Sequence, residues 1–372
     1  MSASLALGAL LNAGLLSAGV FWQSAVWAEP LPASGTAVPL PAPASSPASS
    51  AAAPFSALTL CDLHDQAVGL DRPAQTLSGG GQVPAFRLSA SLCLPEAGRA
   101  PHPLVILVSG SGATDRDGNS VGMPLRPGTM KWVAAELARA GVASLRFDKR
   151  FLPASGGSLI REEDLRLEHL AGDVVAWVRH MRADRRFSRI VLAGHSEGGL
   201  VALLATRDVG VDGLVLLATP GRPLGDVLRE QLAGKLPADL KPEAERILAA
   251  LERGQTAADV PPALLPLYRP SVQPYLISSL RLNPSDMLRR ARVSVMLVQG
   301  DADLQVSMAD FDRLKTARPD ALALKVSGMN HVLKQASGDL AAQSESYRSP
   351  DWPLAPGWVP KMAGFVKGRS GD

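Results

Sequence analysis

Cysteine is nearly absent: the 372 residues hold two, Cys61 and Cys93. That excludes a disulfide-dense scaffold and a cysteine-based zinc or iron–sulfur centre. An excess of one charge is also missing. The 38 basic and 35 acidic side chains leave a net charge of +3, and no Lys/Arg run of the kind that grips a phosphate backbone occurs, so no nucleic-acid partner is expected. A hydrophobic content of 46% with 20% charged residues fits neither wholesale disorder nor a multispan membrane protein. Residues 1–28 contain no charged side chain at all.

There an apolar run from Leu5 to Phe21 leads to Val26-Trp27-Ala28, with Val and Ala at the −3 and −1 places of a cleavage site. Residues 1–28 therefore read as a signal peptide, and the protein is expected to be periplasmic or secreted, without stable membrane insertion once cleaved. No Lys or Arg precedes the apolar run, which leaves an uncleaved N-terminal anchor as the alternative. Residues 29–56 are almost wholly Pro, Ala, Ser, Gly and Thr and read as a disordered linker, because such a composition cannot bury a core. In an oxidising compartment Cys61 and Cys93 could be bridged or remain two buried thiols.

From residue 57 to 372 short apolar runs alternate with amphipathic stretches, the rhythm of an α/β domain with a mostly parallel sheet. Leu104–Val108, Val142–Phe147, Ile190–Ala193, Leu214–Leu217, Val293–Val298 and Leu322–Val326 are the candidate strands. Ala57–Leu60 and Phe86–Leu94 are read as an antiparallel pair ahead of them. Roughly seventy-five residues separate Leu217 from Val293, too many for a plain connection. Residues from about 221 to 291 are accordingly expected to form an inserted helical lid. Its apolar residues, among them Leu264, Leu265, Tyr268, Tyr275 and Ile277, suggest a hydrophobic acyl pocket.

The reactive residue types cluster at predicted strand ends. Gly194-His195-Ser196-Glu197-Gly198 joins an apolar strand to a helix-like segment, Leu200–Thr206. Gly-x-Ser-x-Gly in that setting is a nucleophile elbow: Gly194 and Gly198 make room for a sharp turn that lifts the Ser196 hydroxyl clear of the sheet. A serine needs a base, and of six histidines only His331 follows the last apolar strand. His195 should point away from Ser196, and His169 and His180 are expected at the surface. The imidazole in turn needs a carboxylate. Gln299-Gly300-Asp301-Ala302-Asp303 offers two; Asp303 has room to swing towards His331, whereas Asp301 is placed to brace the turn. An oxyanion hole is expected from the backbone N–H groups of Glu197 and of Ser111, in the small-residue loop after Leu104–Val108. This chemistry needs no metal and no cofactor.

Taken together, Ser109–Asn119, Leu145–Arg150, Gly194–Gly199, Arg269–Tyr275, Gln299–Asp303 and Gly328–His331 resemble the serine hydrolases of the α/β-hydrolase superfamily, near bacterial esterases and the "serine aminopeptidase S33" type. The resemblance implies the α/β-hydrolase fold, helices on both faces of the sheet, and Ser196, Asp303 and His331 as nucleophile, acid and base. A small-molecule ester is the expected partner, cleaved through an acyl-enzyme. The alternatives are a peptidase or aminopeptidase, a thioesterase, and, from a different class, a non-catalytic binding module. Asp115, Arg116, Asp117, Asp148, Lys149 and Arg150 could either form a charged network bracing the oxyanion loop or stand solvated.

Overall fold

A computed structural model describes residues 65–368 except 78–79, 96–97, 157–159, 235 and 337–339. The expected signal peptide, the linker, Ala57–Leu60, Cys61 and His64 lie outside the described residues. Eight strands form one sheet: β1 (Asp65–Arg72), β2 (Phe86–Cys93), β3 (His102–Val108), β4 (Ala143–Phe147), β5 (Phe187–His195), β6 (Gly213–Leu217), β7 (Val295–Gly300) and β8 (Leu322–Val326). Their spatial order is β1-β2-β4-β3-β5-β6-β7-β8. From β4 to β8 every neighbouring pair is parallel. This is the α/β-hydrolase arrangement that the resemblance implied.

The central strands are apolar at consecutive positions because both faces of the sheet are covered. Along β3, Leu104, Ile106 and Val108 enter one core cluster while Val105 and Leu107 enter the other. Leu214 and Leu216 of β6 divide from Val215 and Leu217 in the same way. One face packs against α2 (Leu167–Arg182) and α3 (Glu197–Ala205), the other against α1 (Thr129–Arg139) and α10 (Trp358–Val366). Trp177 of α2 and Trp358 of α10 are fully buried, one in each layer. Among the described residues no helix is long and apolar enough to cross a membrane.

The antiparallel edge differs from expectation. β2 pairs with β1 on one side and β4 on the other, so the partner of Phe86–Cys93 is Asp65–Arg72 and not Ala57–Leu60. As an edge strand, β1 buries only part of each face. Its Asp65, Asp71 and Arg72 break the apolar pattern by which a strand is recognised in sequence.

Between β6 and β7 lie α4 (Leu224–Ala233), α5 (Lys241–Glu252), a helical turn at Leu265–Tyr268, α6 (Gln273–Leu280) and α7 (Pro284–Arg290). This excursion has its own core, built from Leu228, Ile247, Leu248, Leu251, Leu264, Tyr268, Val272 and Leu276. The residues expected to line an acyl pocket are therefore largely consumed in packing, and of them Leu265 alone is markedly exposed. Tyr275 joins the main core instead. The excursion is fastened to the body at Glu162, which receives the Arg269 guanidinium and, at 2.5 Å, the Ser271 hydroxyl. A second tie runs from the Leu167 N–H at the start of α2 to the Ser278 hydroxyl, at 2.9 Å. α8 (Met308–Ala317) and α9 (Leu340–Arg348) complete the layers.

Candidate active site

Ser196 sits between β5 and α3 with φ 55° and ψ −124°, a conformation that costs a non-glycine residue roughly 1–3 kcal/mol. The surroundings hold it there. Its N–H donates to the Leu217 carbonyl at the end of β6 at 2.8 Å, and its carbonyl accepts from Gly199 N–H at 3.0 Å. A Cβ at position 198 would stand 2.2 Å from the Val108 carbonyl oxygen, and one at 194 would stand 2.2 Å from that of Gly198. Both glycines are thus demanded by packing, and they permit the sharp strand-to-helix turn expected at Ser196.

Asp303 and His331 meet across the loops that follow β7 and β8. His331 Nδ1 lies 2.9 Å from Asp303 Oδ2, with the Asp303 side chain fully buried and that of His331 6% exposed. Gln299 Nε2 donates to the same Oδ2 at 3.0 Å. The backbone N–H groups of Gln305 and Val306 donate to Oδ1 at 2.8 and 3.0 Å. A carboxylate oxygen accepts in this bond, so its proton is carried by His331 Nδ1 and the other ring nitrogen, Nε2, is not engaged by Asp303. The loops can approach this closely because Gly300 ends β7: a Cβ there would lie 1.9 Å from the Met329 carbonyl oxygen. Asp301 faces elsewhere, accepting from Gly328 N–H at 2.6 Å.

The small-residue loop lies against the elbow. A Cβ on Gly110 would meet His195 Nδ1 at 3.1 Å and the Ser196 Cβ at 3.4 Å. Among the described residues neither Ser111 N–H nor Glu197 N–H donates to a backbone carbonyl, which leaves both amides open to another acceptor. The loop is braced by charge, settling the choice that the sequence left open in favour of a network. Arg116 binds Asp148 through Nε at 3.0 Å, Nη2 at 2.5 Å and its backbone N–H at 2.8 Å. Asp115 accepts from the N–H groups of Asp117 and Asn119. Arg150 forms a buried bidentate pair with Asp173 at 2.7 Å for each bond.

One histidine departs from expectation. His169 is half-buried, not on the surface; its Nδ1 accepts from Arg166 N–H at 3.1 Å, and burial, with Arg150 and Arg166 nearby, lowers its pKa to about 4. His180 is exposed, as read from the sequence. His195 is buried and has a role that the sequence did not disclose: its Nε2 donates to the His331 carbonyl at 2.7 Å, tying the elbow to the histidine loop. Burial first, and the neighbouring His331 side chain second, lower its pKa to about 3.

That depression has a consequence for stability. The unfolded chain would protonate this imidazole near pH 6.5, whereas the fold resists until about pH 3. Falling pH therefore favours the unfolded state across that window, by about 2 kcal/mol between pH 6 and pH 4. His195→Gln keeps a donor for the His331 carbonyl and removes the titration. Denaturant unfolding at a series of pH values should then show a shallower acid decline than in wild type. Identical slopes would contradict this assignment.

Comparison with known proteins places residues 105–337 in a match to the alpha/beta hydrolase family. The chain is 27% identical over 255 residues to esterase EstD of Thermotoga maritima, an alignment covering 68% of this chain and 59% of that protein. The chain thus spans under two thirds of that relative's length. Among solved structures, Est1E from Butyrivibrio proteoclasticus with ferulic acid bound aligns at a TM-score of 0.48 and 21% identity, covering 71% of this chain and 93% of that one. The Pyrococcus furiosus esterase Pf2001 aligns at a TM-score of 0.47 and 17% identity, covering 84% and 93%.

Proposed function

The chain belongs to the alpha/beta hydrolase family, and from that premise we propose that it is a serine esterase working through Ser196, His331 and Asp303. The observation that carries this reading is the buried Asp303–His331 hydrogen bond set beside an elbow serine. The relative from Thermotoga maritima that is named an esterase supports it. In the proposed cycle His331 Nε2 takes the hydroxyl proton as Ser196 Oγ attacks the ester carbonyl. Asp303 stabilises the imidazolium. The N–H groups of Ser111 and Glu197 receive the oxyanion. The proton then passes to the departing alcohol, and water, activated by the same histidine, releases the acid from the acyl-enzyme.

An ester is favoured over a peptide by the charges that the excursion presents. Amide cleavage needs the amine protonated as it leaves and the peptide firmly anchored. In α5 the carboxylates of Glu243 and Glu245 are exposed and already paired, with Arg246 and Arg229. They form no joint anchor for a free amine. In a panel of p-nitrophenyl esters and aminoacyl-nitroanilides, kcat/KM for short acyl esters should exceed that for the anilides by at least ~10²-fold, or about 2.7 kcal/mol. Ser196→Ala serves as the control. Nitroanilide cleavage that matches the ester rate and disappears in Ser196→Ala would transfer the assignment to a peptidase.

A further inference from the structure

Lys149 follows β4 and is buried, with 6% of the residue exposed, close to the proposed oxyanion hole and outside the triad. Its Nζ donates to the carbonyl of Gly110 and, at 2.9 Å, to that of Gly112. These two carbonyls flank Ser111. In a trans peptide the carbonyl of one residue and the N–H of the next point in opposite directions. A hydrogen bond holding the Gly110 carbonyl on one side therefore turns the Ser111 N–H to the other. Glycines at 110 and 112 leave the loop free to rotate its peptide planes unless something pins them.

We propose that Lys149 is a positioning residue for the oxyanion hole, whose ammonium fixes the Gly110–Ser111 peptide so that the Ser111 N–H faces the acyl carbonyl on Ser196. This rests on the esterase reading and extends it. The counter-charge comes from Glu197, whose own N–H is the other proposed donor. Its buried carboxyl acts on Lys149 electrostatically and accepts the hydroxyl of Tyr275 from α6. Burial pulls the lysine down to about pKa 8 and pushes the Glu197 carboxyl up, each group partly offsetting the other. One buried cluster thus links both halves of the oxyanion hole to the helical excursion. An ammonium is costly to bury, and methionine fills a similar volume without donors.

Lys149→Met should fold and reduce kcat for p-nitrophenyl acetate by roughly 10²- to 10³-fold, the loss typical of one oxyanion donor, with KM changed less than about threefold. Inhibition by an alkyl trifluoromethyl ketone, which forms a tetrahedral oxyanion on the serine, should weaken by the same factor as kcat/KM. A role confined to stability would move the melting temperature and leave the ketone affinity intact. Should Lys149→Met fail to fold, Lys149→Met with Glu197→Gln removes both buried charges, keeps the backbone amide at 197 and is read in the same way. A folded variant with unchanged kcat, or with lowered kcat but undiminished ketone affinity, overturns the inference. Wild-type protein that cleaves no ester and binds no ketone overturns the esterase reading instead, and the inference with it.

Discussion

Ser196→Ala and His331→Ala should each fold as the wild type does and lose roughly 10⁴- to 10⁶-fold in kcat against a p-nitrophenyl ester. The size of the loss follows from how the groups depend on one another. A serine hydroxyl is a weak nucleophile without a base, and the Nε2 of His331 has no other acid in the cycle to serve, so removing either leaves the other idle. Residual rate would come from the oxyanion donors and substrate binding alone, which makes the double variant no worse than either single one. Folding should survive both changes. Alanine at 196 keeps the N–H that donates to Leu217 and the carbonyl that accepts from Gly199. At 331 the backbone carbonyl that receives His195 is likewise retained. Circular dichroism and thermal unfolding check the fold, and steady-state kinetics check the loss. Activity within tenfold of wild type in either variant would remove that residue from the mechanism.

Asp303→Asn should lower kcat by about 10⁴-fold, while Asp301→Asn should change it less than about tenfold. The contrast lies in the hydrogen bonds. Asp303 Oδ1 accepts two backbone N–H groups, and Oδ2 accepts Gln299 Nε2 and His331 Nδ1. An asparagine keeps its carbonyl towards the two backbone donors, because its NH₂ group cannot accept from them. That NH₂ then faces His331 Nδ1 and forces the imidazole to carry its proton on Nε2, the tautomer that cannot act as base. Asp301 accepts a single N–H, from Gly328, and an asparagine carbonyl does the same. Kinetics of the two variants side by side decide the matter; the reverse ranking would hand the acid role to Asp301.

The parts legible in the sequence are those whose physics is local. The parallel strands are short apolar runs because both faces are covered, and five of the six have neighbours in the sheet on both sides. The elbow is readable because Gly194 and Gly198 are required by atoms a few residues away or on the adjacent strand. Asp303 and His331 stand at strand ends, in short loops with a glycine beside them. The partners of the excursion's apolar residues were not legible: apolar residues signal burial but do not say against what, and Leu264, Tyr268 and Leu276 bury against the excursion's own helices. β1 was missed because an edge strand can keep charges solvated. His195 and Lys149 were illegible because their partners are backbone carbonyls of His331, Gly110 and Gly112, and a carbonyl leaves no trace in the sequence.

The central claim is that one serine, activated by one histidine, forms the covalent intermediate. A fluorophosphonate reports this directly, since it reacts only with a serine whose proton a base removes and whose adduct an oxyanion hole accepts. Wild-type protein should take up one equivalent, and peptide mass mapping should place it on Ser196. His331→Ala should slow the labelling by orders of magnitude although Ser196 remains. Stoichiometric labelling of any other serine, or labelling of Ser196 at an undiminished rate in His331→Ala, would contradict the account.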